Sequence, residues 1–263
     1  MKKLLFLFLS NFTINSSFGM FLHNTIAPAI CQRLQKFGEK IFEMKRLSPV
    51  KINKGYFACC EKKVIEGQII TQIYTPPVFT SFLLSYGFRK GVMLHELTHA
   101  RQPTIFTDSF IGWQTINPHY PHIETEADIE AIRHISCWKC AKEYRNGLIP
   151  THLLFRILTG KSAVKEGYAP LNVIKSLVEE KKKSGEECDY HKALRSYIPY
   201  RMSNFIPYLV AFSMYLPGKN KINPMRSMRC TVGLSSSLIA RFFIKKFIER
   251  KTENKVASGE LEP

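Results

Sequence analysis

Val92-Met93-Leu94-His95-Glu96-Leu97-Thr98-His99-Ala100 places two histidines four residues apart, with a glutamate directly after the first. On a helix, positions i and i+4 lie about 40° apart around the axis, so both imidazoles reach one ion from one face. Glu96 is rotated by about 100° from His95, beside the ion and not on it. This is the geometry of a zinc ion held by two nitrogens with a carboxylate next to the metal's water. Gly91 before the stretch and Pro103 after it give the helix its expected ends. Val92, Met93, Leu94, Leu97, Thr98 and Ala100 are uncharged, as expected of a helix inside a core, and Arg101 breaks the run.

A second signal follows downstream. His122-Ile123-Glu124-Thr125-Glu126-Ala127-Asp128-Ile129-Glu130-Ala131 comes after Pro121 and reads as a helix start. Glu124 and Asp128 are i and i+4 and share a face. Glu124 lies 25 residues beyond His99, enough for a loop and a return helix that brings it to the metal. A third protein ligand leaves the fourth tetrahedral position to water, which marks a catalytic site. Asp128 is then positioned to accept the other ring N–H of a ligand histidine and fix its tautomer. Glu126 competes with Glu124 for the ligand role, and with Glu130 it also forms an i,i+4 pair that suits a solvated face. His119 and His122, in a Pro-flanked loop, read either as oxyanion stabilisers or as ordinary surface histidines, and the second reading is preferred.

The His95-Glu96-x-x-His99 motif with Glu124-x-x-Ala127-Asp128 resembles the gluzincin metallopeptidases, and the CAAX prenyl protease and HtpX type in particular. The thermolysin type favours Asn before the ligand Glu and Ser before the Asp, where this chain has Ile123 and Ala127. The resemblance covers residues 88 to 135. The membrane spans of the integral HtpX-type enzymes are not visible, so the likeness is to soluble, exported relatives. It implies an α+β, zincin-like fold, mainly helical, with a small antiparallel sheet or hairpin beside the active-site helix. It also implies zinc-dependent hydrolysis of peptide bonds, with His95, His99 and Glu124 on the metal and Glu96 as general base. Asp128 stands behind the ligands, as in the family pattern, and this favours Glu124 over Glu126. Enzymes of this sort use a late His, Tyr or Arg to polarise the tetrahedral intermediate, and His191, after Cys188-Asp189-Tyr190, is the candidate. Envelope or misfolded proteins are the implied substrates.

The whole chain is compatible with this reading. Its 263 residues allow one or two domains and a sizeable core, and 45% hydrophobic with 22% charged residues is a globular composition. Lys2 and Lys3, then Leu4-Leu5-Phe6-Leu7-Phe8-Leu9, then Ser17-Phe18-Gly19 read as an export signal over residues 1–19, cleaved before Met20. An uncleaved anchor is the competing reading. The formal net charge is +17. Export argues against nucleic acid, so the basic surface is expected to associate weakly with anionic membrane or wall polymer, screened by salt over about 8 to 10 Å. The expected location is a periplasm, a cell envelope or the external medium. Of 7 cysteines, Cys137 and Cys140 have redox or metal spacing, but within a helix they read as structural.

Along the chain, residues 20–47 read as one amphipathic helix or two, and 55–75 as a hairpin ending at Pro76-Pro77. In zincins such a strand offers an edge to the substrate backbone. Residues 103–121 read as loop. One long helix is expected from His122 to Arg145, stopped by Gly147. Further helices are expected over 151–159, 170–184, 188–198, 203–216 and 234–251. The domain expectation is a catalytic core over 20–147, a helical part over 148–251 and a disordered tail over 252–263. Two other classes of function stay open: a zinc-binding envelope protein without hydrolytic activity, and a cationic structural envelope protein with a coincidental motif.

Overall fold

The computed structural model describes residues 27–52, 58–66, 68–76, 79, 84–102, 122–204 and 224–263. In chain order the elements are α1 (Ala27–Ile41), β1 (Lys51–Ile52), β2 (Cys59–Ile65), β3 (Gln68–Thr75), α2 (Tyr86–Arg101), α3 (Ile123–His134) and α4 (Trp138–Thr159). After a 3-10 turn (Ala163–Glu166) come α5 (Leu171–Ser184), α6 (Asp189–Ser196), α7 (Ile198–Met202) and α8 (Pro224–Ser258). The protein is therefore α+β and mostly helical, with one small sheet. The described chain divides into two compact units, one reaching Cys188 and one spanning Asp189–Glu262. The first unit ends well beyond the expected boundary at residue 147. The signal segment, the 103–121 loop and most of the expected 203–216 helix lie outside the described residues.

The hairpin forms where β-branched residues alternate around a glycine. β2 and β3 pair antiparallel from Cys59 opposite Tyr74 to Ile65 opposite Gln68. Glu66 has φ 51°, the left-handed conformation that two-residue hairpin loops require. The sheet is mixed, not purely antiparallel: β1 joins β3 in parallel, with Lys51 opposite Tyr74. The strand order is β1-β3-β2, so β2 is an outer strand, and it packs against α2.

α2 is the centre of the first unit, in contact with α1, α3, α4, β2 and β3. Ser85 caps it by accepting the Phe88 N–H at 3.3 Å. The Glu143 carboxylate on α4 accepts the Gly87 N–H at 2.7 Å, where the exposed amides of a first turn favour negative charge. Met93, Leu94 and Leu97 are fully buried, each contributing roughly 1.5–3 kcal/mol of apolar burial. The burial is not confined to uncharged residues. Arg89 and Lys90 are inside as well, Arg89 donating to Leu84 O at 2.9 Å and Lys90 Nζ sitting 4.1 Å above the Phe37 ring.

Gly91 does not precede the helix but lies within it. A Cβ there would stand 2.2 Å from the Tyr144 ring, and one at Gly87 would stand 2.5 Å from the Cys140 Cα. These two glycines, one turn apart, let α2 and α4 lie closer than any side chain would permit. The long helix expected from His122 to Arg145 is two helices. The chain leaves α3 at Ile135 in an extended conformation and restarts after Cys137. Gly147 is interior to α4 and faces the Phe88 ring; the stop is Gly160, at φ 73°. The break turns the chain so that α3 and α4 both pack on α2. In the second unit, α8 packs on α6 and α7. It continues to Ser258 with Thr252 and Val256 buried, so the segment from Thr252 is helical and packed, not a disordered tail, as far as Ser258. Among the described residues no helix is long and apolar enough to cross a membrane.

Candidate metal centre

His95 and His99 project from one face of α2, as their i,i+4 spacing dictates. The first turn of α3 brings Glu124 against them. His95 Nε2 lies 3.0 Å from His99 Nε2 and 3.1 Å from Glu124 Oε2, and His99 Nε2 lies 3.4 Å from the same oxygen. Four ligands 2.0–2.1 Å from a tetrahedral centre stand about 3.3–3.4 Å apart, so this triangle matches one face of a zinc coordination sphere. The cluster is not sealed: the Glu124 side chain keeps 30% of its exposure, against 10% for His95 and 16% for His99.

The hydrogen bonds around the rings settle their tautomers. His95 Nδ1 donates to Asp128 Oδ1 at 3.0 Å. His99 Nδ1 donates to Gln102 Oε1 at 2.6 Å, and the Gln102 amide is oriented because its Nε2 donates to Ile123 O at 3.0 Å and Glu126 Oε2 at 2.9 Å. Each neutral ring therefore turns a lone pair at Nε2 toward the other and toward Glu124. Three acceptors converge with no donor among them, an arrangement that only protons or a cation can satisfy. The electrostatics of the cluster carry the same demand. Burial alone would lower the histidines, but the hydrogen bonds to Asp128 and Glu124 hold His95 well above its usual range, and Glu124 does the same for His99. Burial would raise Glu124, but its bonds to His95 and His99 hold it well below the carboxylate range. A cation entering the cluster must release those protons.

Glu96 is buried on the adjoining face of α2. Burial raises its carboxyl above the ordinary value, partly opposed by His95 and His99 and reinforced by Glu124 and Asp128. It also acts on the outer strand of the sheet. Burial, followed by the charge of Glu96, pushes the Cys59 thiol up to about 11. β2 packs against α2, the helix that carries the cluster.

Behind the cluster stands a network that sequence reasoning missed. Asp128 is fully buried and satisfied on both oxygens: Tyr144 Oη donates to Oδ1 at 2.8 Å and the Ala169 N–H to Oδ2 at 3.1 Å. Burial, then Asp128, raises the Tyr144 hydroxyl well above its normal range, so it remains a donor. Tyr168 lies parallel to His95, ring centroids 6.5 Å apart, its hydroxyl raised by burial and by Glu124. Gln102 was legible in principle, three residues after His99 on the same helix face; Tyr144 and Tyr168 carried no local signal. Glu126 goes to Gln102, not to the cluster. His134 is drawn to Glu130 at 3.3 Å and packs edge-on to Phe42. His191 is not among these residues. The structure groups it with Cys137, Cys140 and Cys188, so its expected part in polarising a scissile carbonyl is withdrawn.

Tyr144→Phe keeps the ring and removes one bond to Asp128. Affinity of the cluster for a divalent metal ion is expected to fall roughly 10–100-fold, the usual effect of losing an outer partner of a metal-binding histidine, with about 1–2 kcal/mol of stability. Competition against a chromophoric chelator and a thermal melt measure the two. An unchanged affinity would reduce Tyr144 to packing.

Two groups of side chains in the described residues could hold a metal ion: His95, His99 and Glu124, and Cys137, Cys140, Cys188 and His191. No protein-family model, curated protein or solved structure matches this chain.

Proposed function

We propose that this protein is a zinc-dependent endopeptidase of the gluzincin kind, acting outside the cytoplasm. The observation that carries the proposal is the convergence of the His95, His99 and Glu124 acceptors into a triangle of 3.0 to 3.4 Å sides, open on the Glu124 side and with Glu96 beside it. His95, His99 and Glu124 would hold zinc. When bound, zinc supplies a Lewis acid for the scissile carbonyl and lowers the pKa of a water at its open position.

The chain's own residues do the rest. The Glu96 carboxylate accepts the proton of the attacking water and passes it to the leaving amine. Asp128, held by Tyr144 and Ala169, keeps His95 in the tautomer that presents Nε2. Gln102 does the same for His99. The outer strand β2 runs along α2, so an extended peptide can add to its edge through backbone hydrogen bonds, as strand-addition recognition requires. Tyr168, a neutral donor beside the cluster, takes the part expected of His191 toward the developing oxyanion.

A digest of casein or a peptide library tests the reading. Cleavage is expected with the purified protein, loss with a chelator and recovery on adding zinc. Stoichiometric zinc without cleavage would instead favour the non-hydrolytic zinc protein. Absence of zinc would favour the coincidental motif. The basic surface and the N-terminal segment support release from the envelope at high salt. A pool retained through high salt and alkaline wash would point to an anchor at Leu4–Leu9.

A further inference from the structure

Cys137, Cys140 and Cys188 come together at the corner where α3 passes into α4 and the chain leaves α5. Cys137 and Cys140 are completely buried. Cys140 Sγ lies 3.6 Å from Cys188 Sγ. A disulfide would hold the sulfurs about 2.05 Å apart. Two thiolates on one tetrahedral zinc, with Zn–S near 2.3 Å, stand about 3.8 Å apart. The observed separation is too long for a disulfide, and it suits an S–H···S contact or two ligands of one ion; the convergence of four donors favours the second. Cys188 and His191 stand three residues apart on one continuous stretch, the same spacing as Cys137 and Cys140. One ligand atom from each of the four residues lies within 4.8 Å of the other three.

We propose that Cys137, Cys140, Cys188 and His191 form a second, structural zinc site of the Cys3His type. Four protein donors fill a tetrahedral sphere and leave no position for water, which separates this site from the open three-ligand cluster on α2. Its ligand spacing, two Cys-x-x-ligand pairs, is that of structural zinc modules. The assignment does not depend on peptidase activity.

Its consequence for the protein lies in what the corner positions. Cys137 is the residue from which α4 begins, and the Trp138 N–H is tied to Glu186 O at 3.1 Å just before Cys188. Lys139 pairs with Glu187 at 2.9 Å across the same gap. α4 then carries Glu143, which caps α2, and Tyr144, which holds Asp128. An ion at the corner fixes the start of the helix that supports the α2 cluster. The break between α3 and α4, Ile135-Ser136-Cys137, contains neither glycine nor proline, and metal ligation at Cys137 supplies a reason for it.

Metal content and cobalt spectra of the full chain test the proposal. Two zinc ions per chain are expected, with one remaining in a His95→Ala/His99→Ala double variant. Cobalt-loaded protein is expected to show thiolate-to-cobalt charge-transfer bands, which a His2Glu site cannot produce. These bands should persist in the His95→Ala/His99→Ala variant. His191→Cys should keep the second ion and intensify the thiolate bands, whereas Cys137→Ser/Cys140→Ser should lose that ion and the bands. If the double-cysteine variant does not fold, the wild-type spectrum and the His191→Cys variant decide. Absence of thiolate bands in folded, cobalt-loaded wild type would overturn the proposal. So would recovery of Cys137 and Cys140 as a disulfide from protein purified without reductant or chelator.

Discussion

Glu96→Gln is expected to keep zinc at the α2 cluster and to lose peptide hydrolysis by roughly a hundredfold or more, the usual cost of removing a proton shuttle. Glu96 is not one of the three converging ligands, so the amide leaves the donor triangle intact. What it loses is the ability to accept a proton. The side chain is buried and its carboxyl is raised by that burial, which moves it toward the range where a base both accepts and returns a proton near neutral pH. Gln is nearly isosteric, so a folding defect is not expected. Steady-state rates with a fluorogenic peptide, alongside metal content of the same preparation, give the comparison. A variant with full activity and full zinc would remove Glu96 from the chemistry and with it the hydrolytic mechanism.

Glu124→Ala is expected to strip the α2 cluster of its ion, while Glu126→Ala leaves it in place. The two glutamates are two residues apart on α3, so the first turn of the helix points them in different directions. Glu124 Oε2 faces both histidine Nε2 atoms; Glu126 Oε2 instead accepts the Gln102 amide at 2.9 Å. Loss of Glu124 removes the one carboxylate of the His95, His99 and Glu124 group, and on the proposed ligand assignment it should weaken zinc by more than the roughly 10–100-fold that an outer partner costs. Loss of Glu126 frees one Gln102 bond, two steps removed from the ion, and should weaken it by less than tenfold. Mass spectrometry of metal content after dialysis against a weak chelator separates the variants. The proposed cysteine site is expected to keep its own ion in both, so the Glu124→Ala count should fall by one and not to zero. The reverse order between the two variants would overturn the ligand assignment.

The cysteine corner shows how the meaning of a spacing depends on where a helix ends. Cys137-Trp138-Lys139-Cys140 was visible as metal or redox spacing, but inside an uninterrupted helix it reads as packing. The structure breaks that helix at Ile135–Cys137, and the break turns both thiols toward Cys188. His191 was visible too, as a late histidine suited to catalysis. Its place beside Cys188 gives it a different neighbourhood.

The sequence by itself determined everything that covalent spacing controls. Two histidines at i and i+4 share a helix face whatever surrounds them, as do Glu124 and Asp128, and the apolar runs on either side of Gly67 signal a hairpin. Only the tertiary structure decided where the helices end and which distant side chains meet. Ile135-Ser136-Cys137 contains no breaker, so its extended conformation is a choice that local propensity does not make. The approach at Gly87 and Gly91 sets how closely α4 lies, and thereby puts Tyr144 on Asp128 and Glu143 on the end of α2. Those contacts join residues 16 and 56 apart in the chain, and Cys140 meets Cys188 across 48. A periodic pattern extends only a few turns along a helix; pairings at that range are fixed by the mutual fit of whole elements.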